Sequence, residues 1–153
     1  MKMISAYGRD LDDNLLSQAL YMSADADASY EMLNNNKDMH IICALPAMTL
    51  KQFKRKTSST FMLLAVCRSK LVGMACMSKY KKNIQYLHTV YVRPLNRRHG
   101  IGKALVKRAL RCAKKSKCSL MLNVNPLNDI AISLYKSLGF KPCKEQSIRM
   151  EMT

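Results

Sequence analysis

The sequence predicts an α/β protein, and three observations support this class. Residues 1–60 show helical spacing of apolar residues after one short strand-like segment. Residues 60–92 change to apolar, β-branched and aromatic runs that are separated by short polar turns. Residues 86–115 then join a strand to an amphipathic helix through a basic loop that contains glycine. At 153 residues the chain is expected to form one domain over residues 1–153.

The first sixty residues predict an edge strand followed by three helices. The expected elements are a strand over 1–7 and helices over about 12–22, 24–33 and 46–56. Asp10 or Asp12 can cap the first helix, because a carboxylate accepts hydrogen bonds from the free amides of a first turn. The asparagines at 34–36 are expected to end the second helix. Pro46 suits the first turn of the third, where its missing N–H costs no hydrogen bond.

Three strands are expected to follow as an antiparallel meander. The pattern places them at 61–67, 71–78 and 84–92. The turns at 68–70 and 79–83 are short, so each reverses the chain between neighbouring strands. Pro94 ends the third strand because it has no N–H to donate to a ladder.

The remaining residues predict two helices and further strands. A helix over 101–115 has apolar residues on one face and lysine and arginine on the other. A strand at 119–124 comes next, and a helix then begins with Asn128 as its N-cap and ends at Gly139. The last strands are expected at 140–144 and 148–152.

The loop before the helix at 101–115 has the composition of an anion-binding site. Gly100 and Gly102 carry no Cβ, so backbone N–H groups at the positive end of the helix can approach phosphate oxygens closely. Arg97, Arg98 and Lys103 add positive charge at the same place. The spacing matches neither a Walker A loop nor the longer GxGxxG of dinucleotide-binding folds. A basic turn without a ligand is the alternative.

Two stretches together resemble signatures of the GNAT acetyltransferase superfamily. Residues 97–102, Arg-Arg-His-Gly-Ile-Gly, are similar to its Q/R-x-x-G-x-G/A loop for the pyrophosphate of acyl-CoA. Residues 128–140 resemble its downstream NxxAxxLYxxxGF signature. The resemblance implies a GNAT fold, with a mixed, mostly antiparallel central sheet of six to seven strands that splay at the cofactor site and about four flanking helices. It also implies an N-acetyltransferase that uses acetyl-CoA as co-substrate, without a metal.

The resemblance further implies which residues hold acetyl-CoA and which act on it. The backbone of one strand would bind the pantetheine arm, and the loop amides would bind the pyrophosphate. The implied cofactor-binding residues are Val90, Tyr91, Val92, Arg97, Arg98, His99, Gly100, Ile101, Gly102, Lys103, Asn128 and Tyr135. Tyr135 matches the family's general acid, which protonates the departing thiolate, and packing in the core is the alternative. Asn128 matches a cofactor contact, with helix capping alone as the alternative.

The general base does not follow from these signatures. Family members that acetylate protein N-termini often carry a glutamate five residues before the asparagine signature, where this chain has Asn123, which cannot take a proton. His88 is the remaining candidate, because simple alternation on its strand places it on the same side as Val90 and Val92. Its ordinary pKa of about 6.5 suits proton removal at neutral pH. The alternatives are a packed or surface histidine, removal through ordered water, or an amine that arrives neutral.

The charge of the chain is concentrated in its middle. The net charge is +16, and residues 39–128 hold nineteen Lys and Arg with no Asp or Glu. Such a field attracts polyanions, of which acyl-CoA is one, and disfavours cationic acceptors such as polyamines. We expect an amine acceptor that is a small molecule or is linked to protein or RNA, such as an aminoacyl-tRNA or a ribosomal protein, with nucleic-acid or ribosome contact through the basic surface. The alternatives are a non-catalytic acyl-CoA-binding regulator and an RNA-binding module, although the sequence shows no basic-aromatic repeat.

Cysteine usage and hydropathy bear on the compartment. The six cysteines are scattered without CxxC pairs, which favours small core residues in a reducing compartment over a zinc site; three disulfides are the alternative. No stretch has the length and apolarity of a membrane span, and residues near the start lack a signal-peptide core. We therefore expect a cytoplasmic protein without membrane contact, and a homodimer by family habit.

Overall fold

Seven strands form one sheet in the part of the chain that the computed structural model describes: residues 1–34, 46, 48–143 and 149–152, with backbone only for 28–34, 149 and 151. In chain order the strands are β1 (Lys2–Tyr7), β2 (Phe61–Cys67), β3 (Lys70–Lys81), β4 (Ile84–Val92), β5 (Ser119–Asn123), β6 (Lys141–Pro142) and β7 (Arg149–Met152). Their order across the sheet is β1-β2-β3-β4-β5-β7-β6. All neighbouring pairs are antiparallel except β4 and β5, which are parallel. This confirms the predicted mixed, mostly antiparallel sheet.

Four helices within the described residues cover the two faces of this sheet. They are α1 (Asp13–Asn34), α2 (Leu50–Lys56), α3 (Ile101–Lys115) and α4 (Asp129–Ser137). One buried cluster joins α1 and α2 to one face, through residues such as Leu16, Phe53 and Met74. A second cluster joins α3 and α4 to the other face, through residues such as Leu105 and Tyr135. The sheet therefore separates an α1/α2 face from an α3/α4 face.

The helical front differs from its prediction at two places. The two helices expected over 12–22 and 24–33 are one continuous helix, α1, because no glycine or proline interrupts the sequence between them. Asp12 caps it, since its Oδ1 accepts a hydrogen bond from the Leu15 N–H at 2.8 Å. Asn34 belongs to this helix rather than to the loop expected at 34–36, of which residues 35 and 36 lie outside the described part of the chain.

The third predicted helix starts later than expected. It begins at Leu50 instead of Pro46, because Thr49 is its N-cap. The Thr49 hydroxyl accepts from the Gln52 N–H at 3.3 Å, while the Gln52 side chain accepts from the Thr49 N–H at 2.7 Å. This reciprocal pair satisfies two amide donors and fixes the first turn.

The strands of the meander lie where they were predicted, with tighter turns. Arg68 and Ser69 form the first turn alone, with φ of 47° and 62°, and Lys70 already belongs to β3. The second turn shortens to residues 82 and 83, because β3 continues to Lys81. At the other end of the chain β5 stops at Asn123 instead of residue 124, and β6 is shorter than predicted. β7 lies where it was predicted, although residue 148 and the rest of 144–148 lie outside the described part.

The parallel pair β4 and β5 separates after only four residue pairs. Ile84–Leu87 of β4 pair with the first four residues of β5, and β4 then continues for five residues that pair with β3 alone. The chain thus has the splayed strands that were expected, with β4 backbone unpaired on the side of β5 at the end where α3 begins.

Candidate active site

The N-terminus of α3 carries amide donors that no side chain caps. Gly100 is the N-cap, in the left-handed region at φ 75°, and makes no side-chain hydrogen bond. The first intrahelical bond runs from the Ala104 N–H to the Gly100 carbonyl at 2.9 Å, so the amides of residues 101–103 have no partner within the helix. A Cβ at Gly100 would meet no atom within 4 Å. The helix end is therefore open and positive, which suits an anion.

The loop before α3 is held in place by its own side chains. Arg97 donates from Nε to the Val92 carbonyl at 3.0 Å, and its guanidinium lies 5.5 Å from the centre of the Tyr91 ring. His99 donates from Nδ1 to the Arg97 carbonyl at 2.7 Å, because the carbonyl can only accept. Arg98 has φ 66° and an exposed side chain. Arg97 and His99 thus hold the loop in shape, whereas the exposed Arg98 side chain makes no such contact among the described residues.

Register determines which strand backbone faces the gap beside β4. The Arg93 N–H bonds to the Val72 carbonyl at 3.0 Å, and Tyr91 pairs with Met74, so the backbone of Tyr91 is turned toward β3. The polar groups of Val90 and Val92 therefore point to the side from which β5 has diverged. Of the three residues expected to offer backbone to pantetheine, Val90 and Val92 face that side, where the Val92 carbonyl accepts from Arg97.

Tyr135 lies on the face of α4 that packs against the sheet. Its side chain is 6% exposed, and its ring centre is 5.7 Å from that of Phe140. Burial raises the pKa of Tyr135 from 10.0 to about 12, so the phenol keeps its proton at neutral pH. Asn128 caps the same helix, with Oδ1 accepting from the Ala131 N–H at 3.1 Å. The predicted cap is confirmed, and the side-chain NH2 of Asn128 is the group left for a ligand.

A β-bulge in β4 overturns the expected position of His88. Thr89 and Val90 together oppose a single β3 residue, and Thr89 has φ 51°. The extra residue reverses the alternation, so His88 lies on the side of its partner Cys76, which belongs to the α1/α2 cluster. Val90 and Val92 pack on the opposite side, against the α3/α4 cluster. The prediction that His88 shares a side with them is wrong.

The surroundings of His88 favour its neutral form. Burial lowers the pKa of His88 below 6.5, and the positive charge of Lys56 lowers it further. Its Nδ1 lies 3.3 Å from the Thr89 hydroxyl. A neutral imidazole has a nitrogen lone pair that can accept a proton.

The model of the acetyltransferase (GNAT) family matches residues 13–140 of the chain. The chain belongs to the GNAT acetyltransferase family. No curated protein that was compared matches the sequence significantly. The GNAT assignment therefore rests on the family model, the two signatures and the fold.

Solved structures share the GNAT fold with this chain at low sequence identity. The PaiA N-acetyltransferase of Thermoplasma acidophilum, in complex with coenzyme A, is 18% identical with a TM-score of 0.67, covering 99% of this chain and 98% of its own. The ribosomal-protein-S18-alanine N-acetyltransferase of Escherichia coli is 20% identical with a TM-score of 0.67, covering 99% and 93%. The ribosomal-protein-alanine N-acetyltransferase of Brucella melitensis is 19% identical with a TM-score of 0.67, covering 99% of both chains.

Two residues near the site of this GNAT chain, Gly73 and Asp25, were not predicted from the sequence. Gly73 on β3 lets α3 approach, since a Cβ there would lie 3.0 Å from the Ile101 Cγ2 and 3.3 Å from the Leu105 Cδ1. A glycine within a strand pattern was the available signal. Asp25 is a buried carboxylate on α1, 4.0 Å from the Arg93 guanidinium just after β4. Its helical spacing from Leu11 and Met22 already indicated the buried face.

Asn123 is exposed at the end of β5. Of the five described cysteines, only Cys76 is buried, so the expectation that most cysteines are core residues is wrong for this group; Cys43 lies outside the described residues. Within the described residues no three His, Cys, Asp or Glu side chains form a metal site, and no helix there is long and apolar enough to cross a membrane.

Proposed function

We propose that this GNAT protein transfers an acetyl group from acetyl-CoA to an amine, with both substrates bound at once. The observation that carries the proposal is the uncapped N-terminus of α3, which lies beside strand backbone exposed by the splay of β4 from β5. The helix end and its basic loop fit a pyrophosphate, and the backbone of Val90 and the N–H of Val92 fit an amide-containing arm, the Val92 carbonyl being bonded to Arg97. The PaiA structure with bound coenzyme A supports this use of the fold.

The two proposed proton-transfer residues lie on opposite faces of the sheet. Tyr135 belongs to the α3/α4 face and remains protonated, so it is suited to donate a proton to the departing thiolate. His88 belongs to the α1/α2 face and remains neutral, so it is suited to remove a proton from the attacking amine. The amine adds to the thioester carbonyl, and the thiolate departs from the resulting tetrahedral intermediate. The base must therefore reach the amine nitrogen while the acid reaches the sulfur, and the splay connects both faces.

The acceptor we propose is an amine on an anionic carrier, or one linked to protein or RNA. The charged side chains of residues 39–128 are all basic, and Asp25, whose carboxylate lies near this end of β4, is paired with Arg93. A polycationic acceptor would be repelled there. The two similar structures of ribosomal-protein alanine N-acetyltransferases support an amine on a ribosomal component.

Calorimetry on purified, nucleic-acid-free protein tests the cofactor assignment. Acetyl-CoA and desulfo-CoA are expected to bind with similar, micromolar affinity, because both carry the pyrophosphate and the pantetheine arm. A lack of binding by both would overturn the proposal.

Tyr135→Phe separates an enzyme from a non-catalytic acyl-CoA sensor. The variant removes only the hydroxyl, so acetyl-CoA should bind as before while kcat with an acceptor from an amine panel falls about a hundredfold or more. Unchanged turnover would exclude Tyr135 as the acid. The phenyl ring of the variant also controls for core packing, because it fills the same buried position and retains the ring contact with Phe140.

A further inference from the structure

Three rings from two strands form a row on the α1/α2 face of the sheet. The ring centres of Tyr80 and Tyr86 are 6.1 Å apart at an interplanar angle of 40°, and those of Tyr86 and His88 are 6.2 Å apart at 20°. Tyr86 pairs with Ser78 and His88 with Cys76, so both rings share the side of the α1/α2 cluster. We call Tyr80, Tyr86 and His88 the aromatic row. It runs from the tip of the β3–β4 hairpin toward the bulge of β4.

The aromatic row lies outside both buried clusters of the described residues. Tyr80 is 46% exposed, and Tyr86 and His88 are half-buried. Aromatic side chains of this size dominate most cores, so a row of them at the surface points to a ligand with planar groups.

Exposed lysines surround the hairpin end of the row. Lys79, Lys81 and Lys82 lie on the hairpin itself, and the Lys81 Nζ is 5.4 Å from the centre of the Tyr80 ring. The Ser119 N–H bonds to the Asn83 carbonyl at 2.8 Å, which brings the end of α3 beside this turn. That end adds three further exposed lysines, namely Lys114, Lys115 and Lys117. We call these six residues the lysine patch.

The lysine patch has no acidic side chain near it in sequence, and Lys56 extends positive charge to the other end of the row. Residues 39–128 contain no Asp or Glu. The ion pairs of the described residues join Arg9 to Asp10, Lys54 to Asp13 and Arg93 to Asp25, and involve no member of the patch. Lys56 is close enough to lower the pKa of His88. Among the described side chains, no carboxylate is paired with the lysine patch, which suits an external polyanion.

We propose that the aromatic row and the lysine patch together bind single-stranded nucleic acid. Unpaired bases stack on aromatic rings regardless of sequence, while lysines follow the phosphates. An acidic peptide would satisfy the lysines but would offer nothing planar to the rings. A duplex would keep its bases stacked inside the helix, away from the rings.

The direction of the row connects this surface to the reaction. The row ends at His88, next to the bulge and to the gap between β4 and β5. A strand laid along it from the lysine patch would carry its end toward the gap. This step rests on the proposed function, and it identifies the acceptor as an amine at or near the end of a single strand.

Fluorescence anisotropy with labelled 12-nucleotide probes tests the surface without acetyl-CoA. Single-stranded RNA, single-stranded DNA of the same sequence and the RNA duplex are compared over a range of salt. Tighter binding of either single strand than of the duplex is expected, and the two single-strand arms show which sugar is preferred. Equal affinity for duplex and single strand would overturn the proposal, because charge alone would then explain binding.

Paired variants separate the rings from the charges. Tyr80→Ala combined with Tyr86→Ala is expected to weaken single-strand binding about tenfold or more, whereas Tyr80→Phe with Tyr86→Phe keeps the rings and the affinity. Tyr21→Ala removes an equally exposed tyrosine, 48% accessible, from α1 and should change nothing. Equal affinity for the Ala and Phe pairs would overturn the assignment of the rings. His88 is left unchanged because of its proposed role in proton transfer.

Charge variants with the same net change complete the test. Replacing Lys79, Lys81 and Lys82 by glutamine should lower the affinity and reduce the slope of log affinity against log salt by about two. Replacing Lys2, Lys136 and Lys141, which are exposed elsewhere, should leave the slope unchanged. Equal slopes would remove the lysine patch from the interface. Acetyl-CoA calorimetry on the same variants is independent of this result, so a failed cofactor assignment and a failed nucleic-acid surface are distinguished.

Discussion

Helices α3 and α4 are in contact, yet their N-termini are capped differently. Gly102 of α3 approaches both Val92 and Leu134 of α4, with a virtual Cβ at 3.8 Å and 3.7 Å from them. The α4 end is capped by Asn128, whose oxygen accepts from the first turn. The α3 end has a glycine without a cap and a basic loop before it. A helix end that the chain itself satisfies is structural, whereas one left open among positive charges is available to an anionic ligand.

Closing the open end should have the largest effect. Gly100→Val places a β-branched residue at φ 75° and puts its methyl groups where the amide donors are exposed, so acetyl-CoA affinity should fall about a hundredfold. Calorimetry with acetyl-CoA measures the loss. Gly139→Ala is the matched control, since it introduces similar backbone strain at φ 90° away from α3 and should lower stability without changing the affinity. Equal affinity of Gly100→Val and the parent protein would remove the α3 end from the cofactor site.

Removing the cap of α4 should have a smaller effect, and this effect should be on stability. Asn128→Ala removes the cap and should cost about 1 kcal/mol of unfolding free energy, as measured by urea titration. Asn128→Asp keeps an accepting oxygen but loses the NH2 group, so it should retain stability. A severalfold loss of acetyl-CoA affinity in the Asp variant would assign that NH2 group to the cofactor. Unchanged affinity in both variants would make Asn128 a cap alone.

Removing a charge beside the open end should matter less than closing it. The Arg98 side chain is exposed and shapes no part of the loop that the structure records. Arg98→Ala should therefore weaken acetyl-CoA binding only a few fold, and the loss should shrink as salt is raised. Calorimetry at low and physiological salt tests this. A loss as large as that of Gly100→Val would shift the anion contact from the backbone to side chains.

The smallest effect concerns β4, the strand beside the open end of α3. Since burial and Lys56 lower the pKa of His88, the acid limb of kcat/KM should lie below pH 6.5 if His88 removes the amine proton. Lys56→Ala removes one of the two causes that lower the pKa of His88, so the limb should move to higher pH. His88→Ala should abolish that limb. A limb unaffected by both variants would end the candidacy of His88.

The same contrast shows what the sequence could and could not predict. Caps and glycine loops are local, so Asn128 as a cap and Gly100 as an open end followed from a few neighbouring residues. The bulge at Thr89 depends on how β4 pairs with β3, and nothing in the spacing of His88, Val90 and Val92 indicated it. Simple alternation therefore placed His88 on the wrong face.

Long-range neighbours were missed for the same reason. Tyr80 and Tyr86 come from different strands, so no basic-aromatic repeat appears in the sequence, although the rings are adjacent in the sheet. The α1 sequence, in contrast, contains no glycine or proline, so one continuous helix could have been predicted where two were expected. Asp25 illustrates both cases, since its buried face was predictable and its pairing with Arg93 was not.

The short ladder between β4 and β5 has a consequence for how the domain resists unfolding. Four residue pairs are all that hold these two central strands edge to edge, so this line is a seam between the β1–β4 half and the β5–β7 half of the sheet. A co-substrate whose arm bonds to Val90 and Val92 would act as a surrogate strand along the open part of the seam. Because a ligand that binds only the folded state stabilises it by mass action, the resistance of such a protein to local opening and proteolysis would follow the acetyl-CoA supply. The gap needed for chemistry would then also couple the lifetime of the protein to the metabolic state around it.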